Sequence, residues 1–248
     1  MTVNDIFLFL DNLYPTEKAL DFDNVGILVG DKEASVSKVL ISLDCTLETV
    51  DVALNNGCQL IITHHPVIFG GMKNVLSNSI VYKLIKNSVS VISMHTNLDV
   101  AIGGVNSCLC EALELKNISV CVADDGFALQ YGLTKPTTAD DFADYLKSKL
   151  GGVIKYTDGK RKIEKVILCS GSGGDYIDFA IDKGFDAFVT ADVKHHHFLQ
   201  ARDFNLSLFD AGHFNTEDVV VEPLKKVLQD KFEDVEFLTA HETNIKFK

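Results

Sequence analysis

Two stretches of the chain, GCQLIIT (Gly57–Thr63) and GFDAFVT (Gly184–Thr190), run from a glycine to a threonine over the same spacing. Each reads as the stop of one helix followed by a short buried strand, because glycine readily takes the left-handed conformation that ends a helix. The elements around them repeat as well. Periodicity predicts, in the first half, a helix over Val3–Leu13, strands over Val25–Val29 and Val36–Leu43, and a helix from a Thr46 cap to Asn56. Strand Leu60–Thr63, a helix near Ile80–Lys86, strand Val89–Met94 and a helix from Gly104 to Leu115 follow. The second half predicts helix Ala139–Leu150, strand Val153–Tyr156, then strands Lys165–Cys169, Ala187–Thr190 and Leu206–Phe209, each followed by a helix. The same order twice predicts a duplicated α/β unit with mixed, mostly parallel sheets, the first strand of each half running antiparallel. The repeats are expected at 1–116 and 137–248, joined by an irregular 117–136 with a hairpin at Cys121–Gln130.

With 248 residues, 46% of them hydrophobic, the chain can bury a sizeable core. A net charge of −12 argues against non-specific binding to nucleic acid or to an anionic membrane. The six cysteines form no C-x-x-C pair and lie mostly in apolar contexts, as reduced core residues of a cytoplasmic protein do. The start MTVNDIFLFLDNL lacks a basic segment and is interrupted by Asp5 and Asp11, which argues against a signal peptide, and no run is long enough to span a membrane.

Chemistry gathers where strands end, the edge at which open α/β sheets bind ligands. His64 and His65 follow one strand, His95 and Asp99 another, and Asp210, His213 and Glu217 a third. Imidazole with carboxylate suits Zn, Mn, Fe, Co or Ni, whereas calcium wants more oxygen and structural zinc more thiolate. His213 and Glu217, four apart, share a face if a helix begins there. Taken singly, each has a plain structural alternative: a buried turn for the histidine pair, and a first-turn acid behind an Asn215 or Thr216 cap for Glu217. His64 and His65 with Asp99, His213 and Glu217 added make five groups, more than one ion needs, so two metals sharing a carboxylate are the natural count. The loop SGSGGD (Ser170–Asp175), with Gly173 and Gly174, is either a phosphate cradle or a tight strand-to-helix turn. Lys194, His195, His196 and His197 are either substrate and proton-transfer groups or a solvated helix start, and His95 either moves protons or makes a strand-end hydrogen bond. Asp192 is placed to orient an imidazole, and His241 falls in a polar tail.

The motifs DNVGILVG (Asp23–Gly30), ITHHPVIFGG (Ile62–Gly71), HTNLDVAIGGVN (His95–Asn106), TADVKHHH (Thr190–His197) and DAGHFNTE (Asp210–Glu217) closely resemble those of the Nif-three-like dinuclear metal family, often labelled GTP cyclohydrolase I type 2. The resemblance spans nearly the whole chain, in the short form without an inserted domain. It implies two intertwined α/β repeats assembled as a homohexamer. It also implies two divalent metal ions per subunit, held by His64, His65, Asp99, His213 and Glu217, with Glu217 the bridge. Phe22 stands where many relatives carry tryptophan, and Ala191 replaces a frequent glycine.

The activity so implied is a hydrolase converting GTP to 7,8-dihydroneopterin triphosphate and formate, with metal-activated water attacking C8. His95, His196 and His197 would move protons, and Lys194, Lys73, His195, Gly173 and Gly174 would contact a small-molecule substrate, a purine nucleotide. Two other classes of function compete with it: a metal-containing scaffold or regulatory protein without catalysis, and a nucleotide sensor.

Overall fold

The structure, a computed structural model, describes residues 1–241, 243, 245 and 246. In chain order the regular elements begin with α1 (Val3–Leu13), β1 (Gly26–Val29), β2 (Lys38–Ser42), α2 (Leu47–Asn55), β3 (Leu60–Thr63), α3 (Ile80–Lys86) and β4 (Ser90–Ser93). Next come α4 (Thr96–Val100), α5 (Val105–Ala112), β5 (Lys116–Val122), β6 (Ala128–Thr137), α6 (Ala139–Leu150), β7 (Lys155–Thr157) and β8 (Ile163–Leu168). The last are α7 (Ile177–Asp182), β9 (Ala187–Thr190), α8 (His195–Asp203), β10 (Ser207–Asp210), α9 (His213–Glu217), α10 (Val221–Lys231) and β11 (Glu236–Ala240). No helix among the described residues is long and apolar enough to cross a membrane. They form two compact units, each with one mixed sheet, and the chain passes from the first to the second and back.

The first unit comprises Met1–Ala101 and the described residues of Val221–Asn244. Its sheet has the order β1-β4-β3-β2-β11, with β1 antiparallel at one edge and the other strands parallel. Its helices begin as the residues dictate. Thr2 and Asp5 make a reciprocal capping box on α1, which buries Val3, Ile6 and Leu10. Thr46 caps α2 by accepting from the Thr49 amide. All four residues of β3 are buried, as a central parallel strand requires. Leu40, Val50, Ile61, Leu84 and Val91 fill the core on one face of the sheet. The pairing Thr63↔Ser93 then sets the ends of β3 and β4 side by side, so His64 and His65 emerge next to His95.

The second unit comprises the described residues of Ile102–Val220 and Ile245–Lys248, with the sheet order β5-β6-β8-β9-β10-β7. β8, β9 and β10 are parallel, and β7 runs antiparallel to β10 as the first strand of its half was expected to. Phe142, Leu146, Val166, Val189 and Phe209 pack its core. The register Thr190↔Asp210 places the turns that follow β9 and β10 beside one another.

The contacts divide the chain at Ala101/Ile102 and Val220/Val221, not at 116 and 136. Leu109 and Cys110 of α5 belong to the core of the second unit, while β11 pairs with β2 in the first. The hairpin at Cys121–Gln130 is present but longer than expected, because Leu129, Gln130 and Gly132 of β6 are buried and the strand pairs with β8. The segment 117–136 is thus one side of a sheet rather than an irregular connection. β11 has no sequence signal of its own, since its short FLTA core becomes a strand only against the edge of β2.

Candidate functional site

In the first unit three imidazoles converge. His64, 3% exposed, points Nδ1 at the Met94 carbonyl oxygen at 2.9 Å. A carbonyl only accepts, so that nitrogen carries a proton, and Nε2 stands 3.6 Å from Asp99 Oδ1. His65 Nδ1 lies 2.8 Å from Asp44 Oδ1, and His95 Nδ1 lies 2.8 Å from Asp23 Oδ1. One nitrogen from each of the three rings falls within 4.8 Å of the others. Tying Nδ1 to an acceptor fixes tautomer and ring orientation, the usual support of a metal-binding histidine.

Asp23 is itself firmly held, its side chain fully buried. It accepts from the Thr96 amide at 3.0 Å and the Thr96 hydroxyl at 2.5 Å. Burial alone would raise its carboxyl, but the hydrogen bonds from His95 and Thr96 outweigh that and hold it well below the usual carboxylate range. Beside His65 opens a cleft of about 510 Å³ whose walls include Asp44, Thr46, Glu48, Pro66 and Ile80.

The second unit repeats the motif. Gly212, at φ 86°, leads into α9, which carries His213 and Glu217 on one face as the spacing predicts. His213 Nδ1 lies 2.7 Å from Asp192 Oδ2, and its Nε2 lies 3.0 Å from Glu217 Oε2. Glu217 is 3% exposed and sits at the end of α9, so the first-turn reading fails. Thr216 does not cap the helix either: its hydroxyl donates within α9 and accepts from the Gly171 amide. Gly171, at φ 58°, presses its backbone against this pair, where a Cβ would stand 2.0 Å from Glu217 Oε1 and 3.2 Å from His213 Nε2. Only glycine suits both the conformation and the approach.

The remaining predicted residues divide. The Gly173 amide donates to Thr190 Oγ1 of β9 at 2.8 Å and that of Gly171 to Thr216 of α9, so SGSGGD spends these two donors on side chains of neighbouring elements. α7, with six residues, begins just beyond it. Lys194, His195 and His196 are exposed at the start of α8, whereas His197 is buried against Gly174. Burial, then the neighbouring His196 and Lys194, push the His197 imidazolium below its ordinary pKa, which favours the neutral ring near pH 7. Asp210 is taken by Lys155 at 2.6 Å and by the Val193 and Gly212 amides, a structural duty. His241 is exposed and pairs with Glu222.

Two anchors escape a reading by motif, and pairing register supplies the missing signal. β2 and β3 are parallel with Ser42↔Thr63, so Asp44 and His65 are both two residues past the paired ends. β1 and β4 are antiparallel with Gly26↔Ser93, which carries Asp23 towards His95 and Thr96. Asp192, at φ 52°, takes the imidazole-orienting position expected of it.

Fold and side chains together define a mixed α/β protein whose first unit gathers His64, His65 and His95 in a group able to hold a metal, and whose second unit sets His213, anchored through Nδ1, against the buried carboxylate of Glu217. The chain belongs to the Duf34/NIF3 (NGG1p interacting factor 3) family, whose model matches residues 1–245. It is 33% identical over 260 residues to a Clostridium perfringens protein named GTP cyclohydrolase 1 type 2 homolog, covering 100% of this chain and 99% of the relative. A Streptomyces coelicolor protein of the same name is 35% identical over 231 residues, covering 87% and 81%. Among solved structures, a Staphylococcus aureus hypothetical protein superposes with a TM-score of 0.93 at 30% identity, covering 100% of this chain and 99% of that one.

Proposed function

We propose that the protein is a metal-dependent hydrolase of a purine nucleotide, with His64, His65 and Asp99 of the first unit and His213 and Glu217 of the second as the residues that would hold divalent ions. The observation that carries this reading is the arrangement found separately in each unit: Nδ1 tied to an acceptor, and Nε2 facing a buried carboxylate oxygen, at 3.6 Å for His64–Asp99 and 3.0 Å for His213–Glu217. With Nδ1 tied to an acceptor, Nε2 is the ring nitrogen left to share a divalent cation with the carboxylate oxygen beside it. Neutral nitrogen and carboxylate oxygen also suit borderline ions such as Zn, Fe, Mn, Co or Ni.

Ions bound there would lower the pKa of coordinated water towards about 7 and polarise an electrophile. The chain's own residues would do the rest. Asp44 and Asp192 keep His65 and His213 in the ligating tautomer. His95, backed by a carboxylate that stays ionised, is the group best placed to receive and return a proton. His196 and the neutral His197 are further proton carriers, with Lys194 and His195 offered to the substrate's phosphates. The relatives' name supports ring opening of GTP with loss of formate as the reaction. A homohexamer is carried by the family resemblance and a cytoplasmic location by the six free cysteines, and light scattering tests the former.

The deciding experiment loads the protein with each candidate metal, measures metal content and follows formate release from GTP. His65→Ala and Glu217→Ala should lose metal and turnover together while circular dichroism stays native. Formate release undiminished in both variants would refute the assignment, and metal binding without any nucleotide turned over would favour the scaffold or sensor reading.

A further inference from the structure

Phe22 and Phe69 are 66% and 62% exposed, yet they meet from separate loops with ring centroids 6.2 Å apart and planes tilted by 58°. Both loops are pinned: the Asn24 side-chain amide donates to the Ile68 carbonyl at 2.7 Å, and Asp23 is fixed by Thr96. Phe69 stands edge-to-face against His95, centroids 6.0 Å apart at 83°, and His95 lies 5.1 Å from His64 and 5.5 Å from His65. Two large apolar rings held rigidly in solvent, one ring's width from a histidine cluster, form an aromatic corner with no structural need for exposure.

We propose that this corner binds the planar heteroaromatic ring of the substrate, a proposal that rests on the hydrolase reading above and supplies its recognition element. At 6.2 Å the two rings touch one another, so a ligand ring does not slot between them. It stacks on the solvent face of one and meets the edge of the other, the offset and T-shaped contacts that aromatic quadrupoles favour. Stacking tolerates any base, since each has a π-face, so the corner selects for a flat ring. Polar groups on the histidine side are then left to select among rings. A base seated on Phe69 presents its edge to His95, the proton carrier.

The chain has no tryptophan, so Phe22→Trp in the metal-loaded full-length protein places the sole indole in the corner as a reporter. GTP and guanosine should quench its emission saturably, and inorganic tripolyphosphate should not. Adding Phe69→Leu, which keeps apolar bulk but removes the π-face, should weaken guanosine binding by about tenfold and leave any tripolyphosphate binding measured by calorimetry unchanged. The proposal falls if none of guanosine, adenosine, pterin and flavin quenches the reporter. It also falls if Phe69→Leu leaves affinity unaltered, or if light scattering shows that Phe22→Leu and Phe69→Leu change the assembly mass, which would make the corner a contact between copies. Binding of a non-purine ring that depends on Phe69 would support the corner and refute the purine substrate. Guanosine binding that depends on Phe69, with no formate released from GTP, would support the corner and refute the hydrolase reading.

Discussion

Replacing Asp23 by asparagine tests how the histidine cluster of the first unit is held. In the native protein the buried carboxylate accepts from His95 Nδ1, the Thr96 amide, the Thr96 hydroxyl and the Asn24 amide. Asparagine keeps one acceptor oxygen and turns an NH2 group towards the others. The Thr96 hydroxyl can rotate to accept, but the Thr96 amide cannot. One charge-assisted hydrogen bond is then lost and the two on the remaining oxygen are weakened, at about 1.5–3 kcal/mol for a full bond of this kind, so Asp23→Asn should cost about 2–4 kcal/mol at pH 7. The pH dependence has a definite sign. The folded carboxyl is held below its unfolded value of about 3.9, so its contribution is complete above that value and is lost as pH falls through the folded one. Between pH 5 and pH 3 the gap between native protein and variant should therefore narrow by about 1 kcal/mol, because the unfolded wild type gains a proton that the folded one still refuses. Urea unfolding of both proteins at pH 7, 5 and 3 measures this. A gap under about 0.5 kcal/mol at pH 7, or one that widens on acidification, would refute the account of Asp23 as an ionised anchor.

Gly171→Ala should destabilise by about 1–3 kcal/mol from the positive φ alone and displace Glu217 as well, lowering metal content in parallel with the melting temperature. A variant with native metal stoichiometry would show that the glycine does not shape the pair. Thiol labelling of the native protein at pH 8 should modify Cys121 first. Burial raises the Cys45 and Cys110 thiols to about 12 and that of Cys108 to about 11, while Cys121 is half-buried on β5. Rapid labelling of several cysteines before denaturant is added would contradict that packing. His65→Ala and Glu217→Ala, losing metal with the fold retained, remain the direct test of the proposed ligands.

Local chemistry made much of this protein readable in advance. The helix cap at Thr46 depends on residues within three positions of it, and so do the stops at Gly57 and Gly184. A run such as Leu60–Ile62 is apolar throughout because it is covered on both faces, so the strand and the histidines delivered at its end follow from the residues themselves. The i, i+4 spacing of His213 and Glu217 likewise needs only the helical period. What the sequence by itself determined, then, was the order of elements, the repeat and the residue types offered at strand ends. Only the tertiary structure decided which acceptor each histidine faces: Asp44 for His65, Asp23 for His95, the Met94 carbonyl for His64. It likewise decided that SGSGGD spends its Gly171 and Gly173 amides on Thr216 and Thr190, that β11 returns to the first sheet, and that two exposed phenylalanines meet beside His95. The physical reason is range. Caps, stops and periodicity are contests among neighbours along the chain, whereas strand register and side-chain partnership are settled by packing between segments far apart in sequence.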